Sequence, residues 1–135
     1  MKLSKQSKNK LAKEIRFVLE KIKGDEDPKA KLYYFSAIYG IMSRIFNLEY
    51  APDLIFAHFV LSSTYNQINS RLQNPDKVIK IPDELFDKLI DATSELLEVI
   101  ENNKNLYEVL KKFTLLSYVT IGNGYYLYQK GLLKI

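Results

Sequence analysis

Cysteine and tryptophan are absent from this 135-residue chain, histidine occurs once, proline four times and glycine five times. Without cysteine there is no disulfide framework, no thiolate nucleophile and no thiolate metal site. A single histidine removes the multi-histidine zinc sites. The Glu-x-x-His pairs of a di-iron bundle do not occur in the sequence. The one glycine-rich segment, Gly122-Asn123-Gly124, lacks the lysine and the spacing of a phosphate cradle. The expectation is therefore no metal, no cofactor and no recognisable catalytic set.

Long apolar runs are scarce as well. Leu54 to Ser70 and Phe113 to Gln129 are free of charge, but polar residues interrupt both. They read as buried bundle helices rather than membrane spans, which need about 20 predominantly apolar residues. Lys13, Glu14 and Arg16 interrupt any signal-peptide core behind the basic N-terminus. A cytoplasmic protein with no membrane partner is expected.

What the chain does have is a segregated charge distribution. The formal sum is +4. Residues 1–23 hold eight basic groups and two acidic ones, whereas residues 82–101 hold seven acids and Lys88 alone. Residues 24–81 balance, and the tail from 102 is again basic. A net charge of +4 thus describes no single region.

Apolar spacing gives the organisation. Leu11, Ile15, Val18 and Ile22 mark one face of a helix over about 9–23, and Lys2, Lys5, Lys8 and Lys10 oppose the helix macrodipole, so residues 1–8 read as a flexible basic arm. Asp27-Pro28 is a start signal for a second helix to about Phe46. This helix is apolar nearly all round, which predicts a central position, with Ser36, Gly40 and Ser43 forming a small-residue stripe. A third helix runs from the Pro52 turn to about Gln73, stopped by Asn74-Pro75-Asp76. Val78, Ile79 and Ile81 form an extended strap, Pro82 opens a fourth helix, and Asn105 with Glu108 caps a fifth.

Thr120 to Leu127 admits a hairpin at Asn123-Gly124, but the helical phase runs on through Phe113, Ser117, Thr120, Gly124, Tyr128 and Leu132. A continuous or kinked helix is the preferred reading, its two glycines packing closely against the small-residue stripe. Tyr118 to Tyr126 resembles the first helix of a tetratricopeptide repeat, with an aromatic, an apolar-Gly pair three residues later and then Tyr-Tyr. The resemblance covers nine positions and implies helix there. The HEPN helical domains are bundles of similar length; the Arg and His their RNase members place four to six residues apart are not matched here, since Arg44 and His58 lie fourteen apart. The fold expected is all-α: one bundle domain over residues 9–135, of about five mostly antiparallel helices, the last kinked at Gly122 to Gly124.

Three functional readings follow. The first is a small non-catalytic protein–protein interaction or adaptor domain, homodimeric or bound to another protein, with a face made of Tyr33, Tyr34, Tyr39, Tyr125, Tyr126 and Tyr128, because tyrosine offers contact area with a polar tip. The alternative is a nucleic-acid-associated accessory protein that uses Lys2, Lys5, Lys8, Lys10, Lys13 and Arg16 on phosphates, unless the acidic fourth helix neutralises them. The third is an enzyme or ligand-binding bundle with a pocket near Arg44, His58 and Tyr65.

Overall fold

A computed structural model describes residues 2–75 and 78–135 of the chain. Among them are six α-helices and no strand: α1 Lys5–Gly24, α2 Pro28–Phe46, α3 Pro52–Gln73, α4 Leu85–Asn102, α5 Leu106–Tyr118 and α6 Gly122–Gln129. The all-α bundle is as the sequence predicts. Asp76, within the stop signal after α3, and Met1, within the basic arm, lie outside the described residues.

Contacts between neighbours define a closed circuit in which α1 packs on α2, α2 on α3, α3 on α5, α5 on α4, and α4 back on α1. Side-chain contacts fix the directions. Ser4 meets Glu49 and Ile22 meets Lys31, so α1 and α2 are antiparallel. Tyr39 meets both His58 and Tyr65, which makes α2 and α3 antiparallel. Thr64 meets Phe113 and Gln67 meets Thr120, so α3 and α5 run parallel; Glu95 meets Lys112, so α4 opposes α5 and hence α1. Across the middle, the rings of Phe35 and Phe113 lie 5.7 Å apart, joining α2 to α5 inside one apolar core.

α2 is one member of this circuit rather than its centre. Tyr33 on its outer side is 70% exposed, and Arg44 is exposed too. Tyrosine counts as apolar in a periodicity, yet its hydroxyl lets it face water. Among the described residues no neighbouring backbone approaches the stripe at Gly40, where a Cβ would meet only the Arg44 guanidinium, at 3.9 Å, and the Ser36 and Ser43 hydroxyls donate to the carbonyls of Tyr33 and Gly40 in their own helix.

α1 starts at Lys5, not near residue 9, so Lys5, Lys8 and Lys10 are helical residues. The physical reason is a local serine cap reinforced by a distant carboxylate. Ser4 accepts from the Ser7 amide in the usual way, and the carboxylate of Glu49, from the α2–α3 turn, accepts from the Ser4 amide and from both serine hydroxyls. An anion at the first turn offsets the lysines there.

α4 likewise begins at Leu85, not at Pro82, because Pro82 to Glu84 form a turn closed by the Leu85 amide on the Pro82 carbonyl, 3.0 Å. α4 is capped by Asn103, whose φ of 53° permits the Lys104 amide to reach the Val99 carbonyl, a left-handed cap of the kind asparagine tolerates.

The fifth helix breaks rather than kinks. Gln67 and Arg71 of α3 bond the hydroxyl and carbonyl of buried Thr120, at 3.0 and 3.2 Å, which diverts that carbonyl away from a helical ladder. α6 restarts at Gly122 and folds back so tightly that a Cβ on Gly124 would sit 1.9 Å from the Tyr118 carbonyl oxygen. Glycine is required there by the end of α5, not by α2, and the continuous helix implied by the tetratricopeptide likeness is interrupted at residues 119–121.

Candidate functional site

His58 is half-buried on α3, and its Nδ1 donates to the Tyr39 carbonyl at 3.0 Å; a carbonyl can only accept, so Nδ1 carries the proton. Three rings, those of Tyr39, Phe46 and Phe59, stand edge-on to the imidazole at 5.3 to 5.7 Å between centroids. The Tyr65 ring joins this cluster through Tyr39 at 5.8 Å. Desolvation, followed by the proximity of Tyr65, raises the Tyr39 phenol above its ordinary pKa. Arg44 does not join them: it is exposed, with its guanidinium over Gly40. His58 and Tyr65 are therefore brought together as part of the α2–α3 seam, in an arrangement that ties two helices together. Among the described residues no group of three or more His, Asp or Glu is placed to hold a metal ion.

The six tyrosines do not present one surface. Tyr33 and Tyr126 are exposed, whereas Tyr34, Tyr39, Tyr125 and Tyr128 are half-buried. Tyr33 and Tyr34 stack edge to face, Tyr125 accepts from Gln129, and Tyr128 donates to Glu84 at 2.7 Å. That hydrogen bond raises the Tyr128 pKa, with burial a smaller cause.

The charges of α1 and α4 come together only in part. The two helices pack, and Arg16 meets Glu101 at 2.7 Å. The other paired acids of α4 find their partners elsewhere: Glu98 takes Lys104 and Glu95 takes Lys112. Among the described residues Lys2, Lys5, Lys8, Lys10 and Lys13 make no ion pair. The pairing of Glu98 lowers its carboxyl pKa, first through the Lys104 hydrogen bond and then through its charge.

A surface that residue patterns did not single out runs along α3 and α5. Phe56 and Phe59 project from α3, with Tyr107 and Ile121 on or beside α5, all exposed. Between them lie two shallow clefts. One is lined by Asp53, Phe56, Lys104, Tyr107 and Leu110; the other by Phe59, Val60, Ser63, Thr114, Ser117 and Ile121, with no charged residue. Neither is lined by Arg44, His58 or Tyr65. The signal in the sequence was the uncharged run from Leu54 to Ser70, which periodicity assigns to the interior although one edge of it faces out. No helix of the described residues is long and apolar enough to cross a membrane.

The chain matches no protein-family model, and comparison with curated proteins and with solved structures gives no significant match.

Proposed function

We propose that this chain is a small non-catalytic interaction domain that associates with a second copy of itself through the α3–α5 face. The observation that carries the reading is the exposure of Phe56 and Phe59, 52% and 61%, on a helix with no charged residue between Asp53 and Arg71. Covering the part of each ring that remains in water would gain about 1 kcal/mol or somewhat more, and a contiguous exposed apolar patch marks a contact surface. A second copy suits the patch for two reasons. The chain carries +4 overall, so copies repel on most approaches, whereas the cleft beside Phe59 is lined by no charged residue. The same face also holds a ridge, Phe56 and Phe59, beside a recess between the small side chains Ser63, Thr114 and Ser117, and a two-fold contact between copies would set the ridge of each against the recess of the other.

The catalytic reading has less support, because the only histidine uses Nδ1 on a backbone carbonyl and stands among aromatic rings. Sedimentation velocity from about 1 μM to about 1 mM tests the proposal, a range that spans weak and moderate dimers. A dimer that dissociates in the Phe56→Glu, Phe59→Glu variant is expected. A monomer throughout that range overturns it.

A further inference from the structure

We infer that the N-terminal half of α1 is a sequence-independent binding surface for the phosphodiester backbone of a nucleic-acid duplex. The inference stands apart from self-association and rests on different residues. Residues 2–13 contain five lysines and no acid. The acidic helix, which could have neutralised them, is placed so that it does not. Arg16 pairs with Glu101 in the last turn of α4, and because α4 runs antiparallel to α1, Lys5, Lys8 and Lys10 continue toward and past the end of α4. What lies there is the turn Asn102-Asn103-Lys104-Asn105, which adds no acid. The acid brought against the first turn is Glu49, and Ser4 and Ser7 occupy its oxygens. Glu49 therefore orders the lysines without pairing with them.

Lys5, Lys10 and Lys13 are exposed, and the helix rise places Lys5 and Lys13 about 12 Å apart. A duplex strand presents a phosphate about every 3.4 Å of axis, so this length faces several phosphates at once. Lysines carried on an ordered helix lose less backbone freedom on contact than those of a flexible arm would. Lysine, a point charge on a flexible stem rather than a planar guanidinium fork, suits contacts to the backbone. An acidic membrane is a poorer fit: an interfacial helix needs its apolar face available to the bilayer, and here Leu11, Ile15, Val18 and Ile22 are committed to the bundle core. α1 also lies opposite the α3–α5 edge of the helix circuit, so a dimer formed there leaves both basic surfaces outward.

The test is fluorescence anisotropy with a labelled DNA duplex and a labelled RNA duplex of arbitrary sequence, across a series of salt concentrations. Affinity that falls linearly on a log–log plot is expected. The Lys5→Gln, Lys10→Gln, Lys13→Gln variant should bind at least tenfold more weakly at low salt and lose about 0.9 of slope for each phosphate contact removed. The control variant Lys29→Gln, Lys130→Gln, Lys134→Gln, with the same net charge, should stay within about twofold of the parent, since affinity set by total charge alone would fall alike in both. Binding to both duplexes, or to either one, supports the inference and identifies the source of the backbone. Absence of binding at low salt, equal losses in the two variants, or binding only to anionic lipid vesicles overturns it. Unchanged helical circular dichroism in the variants excludes unfolding as the cause.

Discussion

The carboxylate of Glu49 accepts both the amide and the hydroxyl of Ser4, at 3.1 and 2.9 Å, across 45 residues of chain. This clasp decides where α1 begins. It also holds the Glu49 carboxyl below its ordinary pKa, the Ser7 hydroxyl being the largest cause and Ser4 the next. A lowered carboxyl pKa means that the stabilisation is present above the unfolded value and is lost as pH falls through the folded one. The first turn of α1 should accordingly fray in acid while the core persists. Amide exchange at Ser7 and Lys8, compared at neutral pH and below the carboxylate range, measures this; Glu49→Gln should show the acid pattern at neutral pH. Equal protection in parent and variant would count against the clasp.

Phe35 and Phe113 are both fully buried and meet in the centre of the bundle. Phe113→Ala should cost about 3–5 kcal/mol, the usual range for removing a buried ring. In a double-mutant cycle with Phe35→Ala the coupling should be about 0.5–1.5 kcal/mol, from the ring-to-ring contact. Denaturant unfolding of the four proteins gives both values.

Two glycines should respond to alanine in opposite directions. Gly40 is mid-helix, and a Cβ there would have ordinary room, so Gly40→Ala should stabilise by about 0.5–1 kcal/mol through helix propensity. At Gly124 the same Cβ would collide with the Tyr118 carbonyl, so the α5–α6 corner must shift and the melting temperature should fall. Thermal unfolding of the two variants side by side checks the contrast.

Tyr128 should ionise later than an ordinary phenol, because ionisation breaks its donation to Glu84 and sets two negative groups together. A raised folded pKa means that this contact is intact below the unfolded value and is lost as pH rises through the folded one. Ultraviolet titration of the parent and of Glu84→Gln should show one tyrosine moving to lower pH in the variant.

Helix content was legible because its signals are local. Asp27-Pro28 opens α2, and Asn105 caps α5 by accepting from the Tyr107 amide at 2.9 Å. The inward residues Leu11, Ile15, Val18 and Ile22 of α1, and Leu89, Thr93 and Ile100 of α4, are all buried. What escaped was set by distant partners. The start of α1 depends on Glu49, and the break after Tyr118 on Gln67 and Arg71 of α3. The candidate surfaces followed the same rule. Tyrosine content suggested a face, but Tyr39 and Tyr128 are occupied by His58, Tyr65 and Glu84 and only Tyr33 and Tyr126 of the six are exposed, while Phe56 and Phe59 stand exposed in a run that composition alone assigns to the interior.

The amino-acid sequence by itself determined an all-α chain without thiolate chemistry, most of its helix boundaries, and a separation of positive from negative charge, since propensity, capping and composition act within a few residues. Only the tertiary structure decided which charges meet. The antiparallel register of α1 and α4 joins Arg16 to Glu101 and carries the lysines before it toward and past the acidic helix, and that register is set by burial of apolar faces rather than by the charges themselves.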